Sequence, residues 1–186
     1  MHDLFGYTWL AFLGVWLLLA FGNKRTVQRQ SWSSRLLQVA LGVIAGLLLA
    51  DKDLRVGILA ARFIPASREI AEFGYALLLV GLAIAFWARF TLGRNWSGTV
   101  TLKQDHELIR RGPYAFVRHP IYSGILLGFV GTVLALGEVR GLVALALITL
   151  TFRLKSLTEE SFMHQRFGPQ YSDYKRHVKA LIPYVW

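Results

Sequence analysis

Residues 121–137, IYSGILLGFVGTVLALG, and residues 141–154, GLVALALITLTFRL, are two apolar runs separated only by Glu138-Val139-Arg140. A three-residue connection leaves two helices no arrangement but antiparallel neighbours. Each run is long enough to reach far into a hydrocarbon layer about 30 Å thick. This hairpin sets the class of the protein: helices in a bilayer. Three further apolar runs precede it, at 4–22, 36–50 and 71–90. The 36–50 run is short, and its start extends back towards the interfacial aromatic Trp32. Residues 56–64 are apolar but too short to cross, and Pro65 ends them. Residues 51–70 therefore read as an outer loop carrying an interfacial helical piece. Gly74 and Gly81 lie seven residues apart, on one face of the third helix, and permit close helix contact.

Composition agrees. Of 186 residues, 54% are hydrophobic and only 17% are charged, against about 25% charged in soluble domains; mean hydropathy is +0.42. The first run has no basic segment before it and a basic cluster, Lys24, Arg25, Arg29 and Arg35, after it. That pattern predicts a retained span with its N-terminus outside. The predicted fold is all-α: a single membrane domain, 1–186, of about five transmembrane helices with the C-terminus cytoplasmic. Residues 1–90 form three N-terminal spans, and 91–186 a second half containing the helical hairpin 121–154 and a cytoplasmic tail.

The charges fit this topology. The inner segments (23–35, 89–119, 153–186) hold 16 basic and 5 acidic residues; the outer ones (1–4, 51–72, 138–140) hold 5 and 6. Basic excess marks the cytoplasmic side. It also puts the two longest polar segments, 91–119 and 155–186, on one side, so a site they share faces the cytoplasm. The net charge of +10 is accounted for by loop retention and anionic lipid, and no nucleic-acid partner is expected. The absence of cysteine excludes disulfides, thiolate metal sites and a cysteine nucleophile. The five histidines show no ligand spacing with carboxylates, and no metal is expected.

Two stretches concentrate chemistry. In Arg110-Arg111-Gly112-Pro113-Tyr114, followed by Arg118-His119-Pro120-Ile121-Tyr122, Gly112-Pro113 makes a turn. Pro120 suits the first turn of a helix, where its missing N–H costs nothing. The segment reads either as a basic loop with an interfacial Tyr or as a helix start that holds an anion. In Arg153-Leu154-Lys155-Ser156-Leu157-Thr158-Glu159-Glu160, a helix puts Lys155 and Glu159 on one face. This reads equally as surface ion pairing or as a charged cluster that holds a ligand's cation and a substrate carboxylate. Asn95, just after the third run, is a polar contact for such a site.

Together with Phe167-Gly168-Pro169-Gln170-Tyr171-Ser172-Asp173-Tyr174 and Ile182-Pro183, these elements resemble the isoprenylcysteine carboxyl methyltransferase family, which is grouped with the membrane phospholipid methyltransferases. The resemblance covers about residues 95–186 and rests on His-Pro-x-Tyr, the double Glu, and Phe-Gly-x-x-Tyr-x-x-Tyr in that order. It implies an S-adenosyl-L-methionine site built from His106, Leu108, Ile109, Tyr114, His119, Pro120, Ile121, Tyr122, Glu159 and Glu160, with the helix start on the cofactor's carboxylate and Glu159 on its amino group. The family's eukaryotic members carry Arg as a substrate contact where this chain has Lys155; Lys155, with Arg153 and Asn95, is the expected substrate contact here. The implied activity is O-methylation of an isoprenylcysteine or analogue at the membrane, the cell membrane in a prokaryote. The expected partners are a lipid-like or prenylated substrate and membrane lipids. The alternatives are N-methylation of a phospholipid amine, NADPH-dependent reduction of the sterol reductase kind, and a non-enzymatic membrane scaffold.

Overall fold

A computed structural model describes residues 2–20, 26–29, 31–51, 53–93, 96, 101–103 and 107–184. Its helices are α1 (His2–Leu18), α2 (Trp32–Ala50), α3 (Arg68–Leu92), α4 (Pro120–Leu136), α5 (Val139–Phe167) and α6 (Pro169–His177). The helical bundle expected from the hydropathy is present. It also carries a feature the sequence did not announce, a two-stranded antiparallel ribbon of β1 (Thr26–Arg29) and β2 (Thr101–Lys103), which pairs Arg29 with Thr101. The ribbon lies in polar segments with no apolar alternation to betray it.

Helices α2, α3 and α5 are long and apolar enough to cross a membrane, and α1 and α4 are shorter apolar helices. Start signals follow local chemistry. The Ser31 and Ser67 side chains cap α2 and α3, each satisfying an orphan N–H. As expected, α2 reaches back to Trp32. Gly137, at φ 65°, ends α4 in the left-handed conformation glycine favours, and Glu138 begins α5 immediately. The helix does not stop at the apolar boundary near 154: α5 continues through the charged residues for 29 residues in all. Among the described residues of the 51–70 segment, helix is confined to a short 3-10 turn, Gly57–Ala60, and the first turn of α3, which begins at Arg68.

The centre of the bundle is a glycine seam. Gly74 and Gly81 of α3 lie against Gly131, Gly124 and Gly128 of α4, as the seven-residue spacing predicts, and close backbone approach is what small residues provide between membrane helices. Phe5 and Phe12 of α1 are buried together with Leu78, Leu82 and Ala85 of α3. Large apolar side chains such as Leu36, Val43, Leu79, Phe90 and Leu150 point outward and are exposed, a surface suited to lipid rather than water.

A methyl group on Gly81 would sit 2.6 Å from the Gly128 backbone nitrogen, and on Gly124 2.8 Å from that of Ala85. Gly81→Ala or Gly124→Ala is therefore expected to cost about 1–3 kcal/mol by overpacking. Gly14→Ala, with nothing within 4 Å, is expected to cost nothing. Melting in detergent checks this, at about 2–4 °C per kcal/mol for a chain of this size.

Candidate functional site

The two chemical stretches meet where α4 begins and α5 leaves the apolar zone. Pro120 is the first residue of α4 and His119 its cap. One turn on, Tyr122 stacks on both His119 (5.4 Å, 7°) and Phe152 (4.6 Å, 6°). Against this stack α5 delivers Glu159 and Glu160. His119 Nδ1 lies 3.3 Å from Glu159 Oε2, and its Nε2 lies 3.3 Å from Glu160 Oε1. The Tyr122 hydroxyl donates to Glu159 Oε1. The Lys155 ammonium stands 5.4 Å from the centre of the Tyr122 ring, within cation–π range.

The C-terminal tail closes the site from outside. The backbone N–H groups of Arg118 and His119 donate to the carbonyls of Lys179 (2.8 Å) and Ala180 (2.9 Å), and Ser123 donates to Leu181. From α6, Tyr174 donates to the Tyr114 carbonyl and Lys175 reaches Glu160 Oε2 at 2.8 Å. Arg118 grips Glu160 through Nε at 3.0 Å. Glu160, 5% exposed, is thus taken up by two cations, Arg118 and Lys175, and by the His119 ring, as a buried carboxylate must be.

Beside this cluster is a cavity of about 440 Å³, within the usual range for small-molecule sites. Of the sequence-expected residues, Leu108, Ile109, Tyr114, His119, Ile121, Tyr122, Lys155 and Glu159 line it. Pro120, Arg153 and Glu160 are not in its lining. Pro120 is fully buried in the packing, and Glu160 is the knot that ties loop, helix and tail. Asn95 and His106 lie outside the described residues. Also in the lining, and given no role from sequence, are Trp16, Trp96, Arg118, Phe152, Tyr171 and Tyr174. The tyrosines belong to the Phe-Gly-x-x-Tyr-x-x-Tyr element and Arg118 adjoins the His-Pro signature, so both could have been found; nothing near Trp16 marks it out. Trp96 is held by the buried Arg89, whose guanidinium carbon lies 4.4 Å from the ring centre.

Among the described residues no cluster of His, Asp and Glu is arranged to hold a metal ion. The lining instead combines two carboxylates, Glu107 and Glu159, with aromatic walls, which suits an organic cation. Burial pushes the Tyr114 hydroxyl well above its ordinary value and that of Tyr174 up to about 12, so both stay neutral donors. At His119, burial acts to lower the pKa, but hydrogen bonds and charge from Glu159 and Glu160 outweigh it and the net shift is upward.

The description "Phospholipid methyltransferase" belongs to the family model that matches residues 70–170, more than half of the chain. The chain is 30% identical over 129 residues to protein-S-isoprenylcysteine O-methyltransferase B of Arabidopsis thaliana, covering 66% of this chain and 66% of that protein. It is 33% identical over 119 residues to enzyme A of the same plant, covering 62% of this chain and 60% of that protein; the chain thus spans slightly less than two thirds of these relatives. Over 98% of its length it is 28% identical to the Schizosaccharomyces pombe enzyme of the same name, covering 86% of that protein. The solved structure of a eukaryotic intramembrane Ras methyltransferase superposes on 86% of this chain and 55% of its own, with a TM-score of 0.54 and 24% identity, a likeness of fold.

The raised pKa of His119 has a consequence for stability. A group whose folded pKa exceeds its unfolded value stabilises fully below the unfolded value, about 6.5 for His, and that contribution is lost as pH rises through the folded value. Melting temperature in detergent is expected to fall as pH rises from about 6 towards 9, and His119→Asn to flatten that part of the curve. A wild-type curve that rises across this window would contradict the assignment.

Proposed function

The chain belongs to the phospholipid methyltransferase family, and from that premise we propose that it transfers a methyl group from S-adenosyl-L-methionine to the carboxylate of an isoprenylated cysteine or a close analogue. We place the site on the cytoplasmic side of five spans with the N-terminus outside, and, in a prokaryote, in the cell membrane. The observation that carries the reading is Glu159: a carboxylate held by His119 and Tyr122 that still lines an aromatic cavity.

The residues present fit the donor. Glu159 would take its ammonium group, the start of α4 at His119–Tyr122 its carboxylate, and the aromatic walls its planar and cationic parts. When bound, the donor supplies a methyl group on a positively charged sulfur, and the reaction breaks that carbon–sulfur bond, leaving the electron pair on a neutral thioether. The chain's own part is positioning and exclusion of water. His119 and Tyr122 fix both oxygens of Glu159 and so pre-set the donor's orientation. Lys155, on the same helix face one turn earlier, offers an ammonium for the acceptor's carboxylate. That carboxylate is already ionised at neutral pH, so an oxygen lone pair attacks the methyl carbon without a general base. The apolar wall, which includes Ile121, Ile125 and Phe152, receives the acceptor's hydrocarbon.

Methylation of a phospholipid amine is the second reading, because the matched family model carries that description. An amine must first be neutral, and His119 turns both ring nitrogens to carboxylates, leaving neither free to face an amine proton. That geometry favours the carboxylate acceptor.

Calorimetry of the detergent-solubilised protein is expected to show binding of S-adenosylhomocysteine and none of NADPH; binding of NADPH alone would overturn the proposal. With labelled donor, N-acetyl-farnesylcysteine is expected to be methylated in preference to phosphatidylethanolamine. Lys155→Met is expected to raise KM for the prenylcysteine by about 10–100-fold, the range for one charge-assisted hydrogen bond, while S-adenosylhomocysteine affinity is unchanged.

A further inference from the structure

At the other end of α4 lies a second and larger cavity, about 960 Å³, between α1, α2 and the α4–α5 hairpin. Its mouth lies at the opposite end of this 17-residue helix from the Glu159 site, and inside the bundle the two cavities share Ile125 in their linings. Its walls are apolar and reach from Leu136 at the hairpin turn to Ile125. That depth is about 16 Å of helix, enough to cross one leaflet, about half of the 30 Å hydrocarbon layer.

The mouth is basic. Arg55, Arg62, Arg68 and Arg140 line it, against Asp3 and Glu138. Glu138 is buried, its side chain 4% exposed, and Arg140 at 3% exposed meets it at 2.8 Å. Nη1 of Arg140 donates to the carbonyls of Leu48 (3.1 Å) and Asp51 (2.6 Å). Arg68 is taken up by Glu72 at 2.7 Å. One carboxylate, already neutralised by Arg140, is nevertheless approached on its other oxygen by Arg55 (2.9 Å) and Arg62 (3.8 Å). These two guanidiniums are 52% and 35% exposed and exceed what Glu138 requires. They also stand at the end of the bundle that the loop charges make the outer one, where basic residues are ordinarily depleted. Four of the five basic residues in the outer segments gather at this single mouth.

We propose that this cavity is a binding site for an anionic phospholipid of the adjoining leaflet, with the phosphate on Arg55 and Arg62 and an acyl chain between α1, α2 and α4. Guanidinium forks match phosphate oxygens in pairs, and a third anionic partner relieves the repulsion between cations that share Glu138. The site is distinct from methyl transfer: its ligand is bound and is not consumed. Gly42 and Gly46 of α2 line the cavity with nothing within 4 Å of an added Cβ, so α2 leaves room there that packing does not use.

The test is thermal melting and native mass spectrometry of the full chain in detergent with phosphatidylglycerol, with phosphatidylcholine of the same acyl chains, and with inorganic phosphate. Phosphatidylglycerol is expected to raise the melting temperature and to remain bound; the other two are not. Arg55→Gln with Arg62→Gln is expected to abolish that preference, and Arg176→Gln, an exposed control, to keep it. Gly46→Phe, filling the cavity, is expected to abolish lipid retention while S-adenosylhomocysteine affinity stays at the wild-type value. An equal response to both lipids, a response to phosphate alone, or a preference that survives the double substitution would overturn the proposal. So would displacement of the lipid by N-acetyl-farnesylcysteine, which would give the cavity to a prenyl tail. Should the double variant fail to fold, the wild-type selectivity and Gly46→Phe decide.

Discussion

Two consecutive carboxylates at the end of a membrane helix must each find partners, and the architecture of the C-terminal half follows from how they do. Burying an ionised carboxylate without partners is prohibitive. Glu160 is satisfied by Arg118, His119 and Lys175, which come from the loop before α4 and from α6. That one side chain therefore ties two separate chain segments, the loop before α4 and α6, to α5. Glu159 is its neighbour in sequence but faces another way, and His119 and Tyr122 hold it. It keeps access to the cavity because Glu160 has absorbed the cations. His119 is the joint, with one ring nitrogen facing each carboxylate.

The glycine seam plays the complementary part. Where Gly81 meets Gly124 and Gly128, α3 and α4 approach so closely that α4 is fixed in depth and rotation. This matters because Tyr122 and Ile121, in the first turn of α4, carry the cavity wall. Further along α4 the packing opens around Ile125 and Phe129 into the larger cavity. Rigid contact thus lies on one side of α4 and room for hydrocarbon on the other.

Much of this was legible in the residues. The hairpin follows from Glu138-Val139-Arg140 being too short to do anything else. The helix start at Pro120 follows from proline chemistry, and the close contact at Gly81 from spacing. The separate tasks of Glu159 and Glu160 were not legible, because adjacent helix residues point about 100° apart and only the partners show which faces the cavity. The spacing around Arg118 gives it no role, since nothing in it says the side chain will meet a residue 42 positions away. The β1–β2 ribbon depends on tertiary contacts that hydropathy does not record. Trp16 is one aromatic in an apolar helix, and only the fold brings it to the cavity.

The central claim is that Glu159 takes the ammonium group of the methyl donor. A double-mutant cycle between protein and ligand tests it most directly. The affinities of S-adenosylhomocysteine and of its analogue lacking the amino group are measured for the wild type and for Glu159→Gln. The wild type is expected to prefer the amino compound by about tenfold or more, as a charge-assisted bond implies, and Glu159→Gln to erase the preference. An undiminished preference in Glu159→Gln would contradict it.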